Sequence, residues 1–200
     1  RCGSHTRRIT PGAFFLHEGV FRKKVAGMFL EDLAQQLIDG KISLAQWQIA
    51  MREYIRVIHR QAALIANGGV ENMTPATWGY LGYLVKRQYQ FLDGFAADIA
   101  ANPSAWLNGR LLVRMKLYGQ AEWSTFEEMI RFQKRLEGWT EERRQLGVAD
   151  HCEGCLQQAS LSWRPINTLE TIGSQQCATN CHCVFLYRKP NGTGGYVYDG

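Results

Sequence analysis

The sequence predicts a mainly α protein: a helical body of four to five helices, followed by a small cysteine-rich α+β module that ends in a β-hairpin. Three observations predict it. Apolar residues recur at three- and four-residue steps from about residue 22 to residue 137. That texture stops after Gly147, where short β-like pieces alternate with turn residues. Five of the six cysteines fall within the 32 residues 152–183.

Each helix has its own signals. Val25, Met28, Phe29, Leu33, Leu37 and Ile38 give one apolar face to a helix from Arg22 to Ile38, which Gly40 stops. Ser43 opens the next, and Gln46 completes a capping box over otherwise unpaired backbone N–H groups. Its stripe is Leu44, Trp47, Met51, Tyr54, Ile55 and Ile58, and Asn67-Gly68-Gly69 ends it. Thr74-Pro75 starts a third, with Pro in the first turn where no amide hydrogen is needed. Gly79, Gly82 and Gly94 lie within it at about 1 kcal/mol each against Ala, so they predict close approach of a neighbouring helix. A fourth stretch, capped by Ser104, reaches Glu137 and is long enough to predict a break near Gly119. Thr140 predicts a last short helix through Arg143, Arg144 and Leu146. Val184–Tyr187 and Tyr196–Tyr198 flank a Gly-rich turn and predict the terminal hairpin.

This divides the chain into an extended basic arm (1–21), the helical body (22–147) and the cysteine-rich module (148–200). Net charge is +5, with 46% apolar residues, a composition able to bury a core. No apolar run reaches the about 18 residues of a membrane span. The chain lacks an initial Met and a signal-peptide pattern, and is expected to be the ordered or processed part of something longer. Residues 1–24 carry six cations against Glu18 alone. Such an arm suits nucleic acid or an acidic protein surface, with Arg7, Arg8, Arg22, Lys23 and Lys24 as contacts. A solvated terminus is the simpler alternative.

The cysteine cluster carries the chemistry. Six cysteines in 200 residues are too few for a disulfide-built scaffold, so C-x-x-C plus C-x-x-x-C-x-C points to a metal ahead of disulfides or free thiols. Tetrahedral zinc takes four thiolate or imidazole ligands as two close pairs. Cys152, Cys155, Cys181 and Cys183 are the expected ligands, with Cys177, His151 and His182 as contenders. Four protein ligands leave no place for water, so such a zinc is structural and replaces a core that the module lacks. His151-Cys152-Glu153 also fits the H-x-E of zinc nucleobase deaminases. The second half of that signature is missing, since no Pro precedes Cys177 and its spacing is C-x-x-x-C. A nucleophilic Cys beside His151 or His182 is a further alternative, weakened because clustered cysteines favour metal.

Other residues call for ordinary roles. Glu127-Glu128 and Glu141-Glu142 sit near Arg131, Lys134, Arg143 and Arg144, where local ion pairing on helices explains them. Tyr80, Tyr83 and Tyr89 near Lys86 and Arg87 read as a solvated helix face, with a partner surface as the alternative. Trp163, between the two cysteine groups, is expected to plug the module against the helical body. No phosphate-binding, dinucleotide-binding or nucleophile-elbow motif is present.

The C-terminal order is H-C-x-x-C, a Trp-containing loop, Ile172-Gly173 and C-x-x-N-C-x-C running into a strand. It resembles the signature of tailed-phage minor head morphogenesis proteins, the Mu F-like group, in which a Cys pair precedes H-P-N-C-R-C. Cys152 and Cys155 match the pair, and Asn180-Cys181-His182-Cys183 matches N-C-R-C with His182 in place of Arg. Cys177 stands one residue further from Asn180 than the group's His, and no Pro precedes Asn180. The resemblance implies a structural, non-enzymatic protein in several copies in the head or portal region of a virion, present in host cytoplasm during assembly. Its implied partners are portal and capsid proteins and packaged DNA, in head morphogenesis, DNA packaging or ejection.

Overall fold

The structure, a computed structural model, describes residues 19–148, 150–178 and 181–199, with side chains from residue 27 onward. Arg7 and Arg8 lie outside the described residues, as do the side chains of Arg22, Lys23 and Lys24, whose backbone is helical.

The chain is mainly helical with a small antiparallel sheet. Helix α1 spans Gly19–Ile38, α2 Leu44–Ala66, α3 Pro75–Ala101, α4 Pro103–Trp106, α5 Gly109–Gln120 and α6 Glu122–Leu136. A 3-10 turn, Val70–Asn72, sits between α2 and α3. Strand β1 is Glu141–Gln145, α7 Glu153–Ser160, β2 Arg164–Pro165, β3 Val184–Pro190 and β4 Tyr196–Tyr198. The strand order is β2-β1-β3-β4. No helix of the described residues is long and apolar enough to cross a membrane.

Local chemistry sets the boundaries. Ser43 and Gln46 form the reciprocal capping box at the start of α2. The Thr74 hydroxyl accepts from the Thr77 amide with Pro75 in the first turn of α3. The fourth helical stretch breaks into three pieces. Asn102, not Ser104, caps α4 through the Ala105 amide, Asn108 caps α5, and the chain turns again at Ala121. Gly119, beside that turn, admits the Tyr54 ring of α2, since a Cβ there would meet its hydroxyl at 2.5 Å.

Two apolar clusters fill the molecule. One joins α1, α2, α3 and α5 through Leu33, Leu37, Trp47, Met51, Ile55, Phe95, Leu111 and Met115. The other joins α2, α3 and α6 to the sheet and the cysteines through Ala63, Leu81, Trp123, Phe126, Met129, Ile172, Phe185 and Tyr187. Helix α6 lies between α2 and β3.

Several expectations change. In α1 the buried stripe runs through Leu30, Leu33, Ala34 and Leu37, while Met28 and Phe29 are exposed. The helix has enough apolar residues to offer two overlapping faces, and packing chose one. Gly79, Gly82 and Gly94 meet no neighbouring helix; a Cβ at each would touch nothing within 4 Å. The predicted helix after Thr140 is β1. It has no apolar residue to set a period, and its fate is decided by pairing with β3 in the register Glu142↔Tyr187 and Arg144↔Phe185. Opposed residues share a face, so Glu142 and Arg144 turn inward with Phe185 and Tyr187. The terminal hairpin is present, and the Asn191 side chain ties its turn by accepting from the Thr193 and Gly195 amides.

Candidate metal centre

Five sulfurs converge where α7, the loop 171–178 and the start of β3 meet. The Sγ atoms of Cys152, Cys155 and Cys177 lie within 4.8 Å of one another, as do those of Cys155, Cys181 and Cys183. Cys155 belongs to both triads, at 3.4 Å from Cys177 and 3.7 Å from Cys181. Four thiolates about 2.3 Å from a tetrahedral ion stand about 3.8 Å apart, so these separations fit a metal ion. Cys155, Cys181 and Cys183 are buried; Cys152 and Cys177 are half-buried.

Backbone geometry points amides at the sulfurs. Cys152 is the residue that precedes the first turn of α7, and Cys155 falls in that turn. The amides of Cys155 and Cys177 reach the Cys152 sulfur, and those of Cys183 and Gly173 reach Cys181. Burial acts upward on the Cys152 thiol, but those amides and the adjacent thiols outweigh it and hold the group at about 7. Cys181 is drawn down to about 4, chiefly by the hydrogen bond from the Cys183 thiol. Burial pushes Cys155 and Cys177 up, and the bond to Cys181 pushes Cys183 up. Charge thus gathers at Cys181 and Cys152, and the other thiols keep protons that a cation would displace. Arg144 adds a fixed positive charge. Its Nη1 lies 3.7 Å from the Cys155 sulfur and its Nη2 donates to the Glu170 carbonyl, offsetting part of the negative charge of clustered thiolates.

Helix α6 holds this centre through residues four apart on one face. Trp123 Nε1 donates to the Cys183 carbonyl at 3.4 Å. Glu127 accepts from the Phe185 amide at 3.2 Å. Arg131 reaches Glu142 by two bonds, Glu128 by one and the Leu169 carbonyl by another. The Glu142 carboxylate also accepts from the Leu169 amide. Glu127, Glu128, Arg131, Glu142 and Arg144 are all buried, so these are not the solvated helix-surface pairs that the sequence suggests. Burial pushes the Glu128 carboxyl upward against the pull of Arg131. Nothing in the sequence marks Arg144, Glu142 or Arg131 as supports of the cysteines, because their roles depend on β1 being a strand.

The two histidines stand apart from the sulfur triads. His151 Nε2 lies 2.9 Å from the Gly147 carbonyl, and neither His151 nor His182 belongs to a group with metal-binding spacing. The Gly147 backbone packs so closely on the His182 carbonyl that a Cβ there would overlap it. Glu153 is exposed in the first turn of α7. A cleft of about 430 Å³ borders Cys181, lined by Arg87, Phe91, Arg114, Glu128 and Ser174 among others, without Glu153. Trp163 does not plug the module against the helices. It lies on the outer face of the sheet under Arg143 and Arg188.

No family model matches the chain, and no curated protein or solved structure is significantly similar to it.

Proposed function

We propose that the chain is a structural, non-enzymatic component of a tailed-phage head or portal region, with zinc closing its C-terminal module. The observation that carries the reading is the all-sulfur cluster built on the HCxxC…NCHC ending. Cys155, Cys181 and Cys183 are three of the ligands, and Cys152 and Cys177 compete for the fourth place. Four thiolates saturate a tetrahedral ion, so zinc there supplies cross-linking and not a reactive water. The partners in this reading are portal and capsid proteins, with packaged DNA met by Arg7, Arg8, Arg22, Lys23 and Lys24. Several copies would act in head morphogenesis, packaging or ejection, after a cytoplasmic stage in the host.

The alternative is a zinc-dependent nucleic-acid-binding or deaminase-like protein. It needs three protein ligands and a water beside Glu153. The exposed position of Glu153, away from the cleft at Cys181, weighs against it.

Metal analysis with X-ray absorption tests the site. One zinc per chain with four sulfur neighbours supports the proposal, and a site with three protein ligands and an oxygen overturns it. Cys155→Ser is expected to abolish metal retention and expose residues after 148 to protease while the helices persist. Unchanged protease resistance there would refute a structural metal. For the location, antibody labelling of intact particles should mark one head vertex, and a chain found only outside particles would sink the virion reading.

A further inference from the structure

The sheet packs one face on the molecule, and its other face carries Trp163 and the edge strand β4. Helices α6 and α7 lie on the side of Glu142, Arg144, Phe185 and Tyr187. The register puts Glu141, Arg143, Arg188, Tyr196 and Tyr198 on the other side. Strand β4 stays open to solvent: Tyr196, Val197 and Tyr198 are 42%, 45% and 56% exposed. Two exposed tyrosines on an edge strand add little to stability, so core formation does not explain them.

The outer face is organised as an alternation of rings and guanidinium groups. The Arg188 guanidinium lies 4.7 Å from the Trp163 ring centre and 3.8 Å from that of Tyr196. Arg143 approaches Trp163 from its own strand at 5.2 Å. The Trp163 and Tyr198 rings are 5.6 Å apart. Glu141 takes Arg188 with bonds of 2.7 and 3.1 Å, which fixes the guanidinium and with it the Tyr196 plane. Arg188 is therefore largely neutralised, whereas Arg143 has no carboxylate partner among the described residues. Arg164 is exposed on the edge strand β2, and Asp199 is turned to Lys134.

We infer that this face binds single-stranded nucleic acid, with bases stacking on Tyr198, Tyr196 and the edge of Trp163. Phosphates would lie against Arg143. An open sheet bearing aromatic rings beside an unpaired guanidinium meets the two needs of an unpaired strand, a π surface for each base and charge for the backbone. A duplex hides its base faces and can use only the cations. A protein partner would want a desolvated apolar anchor, and the centre of this face is occupied by charge. The inference does not depend on the virion reading or on the basic arm.

Fluorescence anisotropy of the full chain with labelled single strands of about 12 nucleotides, DNA and RNA, beside a duplex of equal length, tests it. The background carries Arg7→Ala and Arg8→Ala, so that the arm does not mask the sheet. Tyr198→Ala is expected to weaken single-strand binding about tenfold, and the pair Tyr196→Ala with Tyr198→Ala further, with unchanged circular dichroism. Tyr198→Trp should keep the affinity, since stacking survives. Arg143→Ala should flatten the salt dependence. Single-strand affinity unchanged in the double tyrosine variant overturns the inference. So does a duplex bound as tightly as the single strand, or loss of a protein partner in that variant with oligonucleotide binding intact.

Discussion

The two ends of this molecule bury different things. The cluster of α1, α2, α3 and α5 is closed by apolar side chains such as Trp47, Met51, Phe95, Leu111 and Met115. The cluster between α6 and the sheet holds Phe126, Met129, Phe185 and Tyr187, but among them lie three buried carboxylates, two arginines and the cysteines. The first end is tolerant of detail, because apolar contact is non-directional. The second is directional. Each buried charge needs its partner in place, so this end has one arrangement or none. The cost of desolvating Glu142 and Arg131 is offset only where their bonds to each other and to Leu169 are complete. Rigidity follows, which suits an end that must hold five sulfurs within a few ångströms.

Truncating one large side chain at each end sets the contrast. Glu142→Ala should destabilise by about 3–5 kcal/mol, because it removes two of the bonds to the buried Arg131 and the acceptor of the Leu169 amide. Trp47→Ala should cost a similar about 3–5 kcal/mol through its cavity. The difference lies in rescue. Replacing Arg131 and Glu142 together by Met and Leu should recover much of the loss, whereas no second substitution near Trp47 refills its space without a large side chain. Chemical denaturation of the three variants beside the parent chain checks this, and a double variant no better than Glu142→Ala would show that the charges are not coupled.

Acid should act through the contact between α2 and α6. His59 is fully buried, its Nδ1 lies 2.6 Å from the Thr125 hydroxyl, and burial pulls it from 6.5 down to about 4. The unfolded chain therefore takes up a proton near pH 6.5 that the folded chain refuses until about pH 4. Stability is whole above pH 6.5 and is lost progressively as pH falls through about 4. At about 1.4 kcal/mol per pH unit the loss is about 3 kcal/mol. Denaturant midpoints at pH 7 and pH 4 measure it, and His59→Asn should remove this part of the slope.

The smallest effect is a gain. Gly82→Ala on the solvent side of α3 should stabilise by about 0.5–1 kcal/mol, because an added methyl meets open space. Thermal unfolding checks the sign. A loss would mean that this face is covered in solution.

How much was legible follows the same division. The capping box at Ser43, the Thr74-Pro75 start and the stripe Trp47, Met51, Ile55, Ile58 were readable because each signal is local. The cysteine spacing marked the cluster that could hold a metal ion, and the hairpin was visible from its Gly-rich turn. Residues 141–145 misled because EERRQ has no apolar period, and a charged run reads as solvated helix. Gly79, Gly82 and Gly94 misled because a glycine reports permission for close approach and not its use.

By itself the sequence determined the helical body, the cysteine knuckles and the terminal hairpin, all of which rest on interactions between residues a few positions apart. Tertiary structure alone decided that β1 is a strand, that Glu142 and Arg144 turn inward, and that Arg144 stands beside Cys155. It also decided that Trp163 lies on the open face with Arg143 and Arg188. Those outcomes hang on pairing between residues more than forty positions apart, as in Arg144↔Phe185, and no local pattern encodes a partner at that distance.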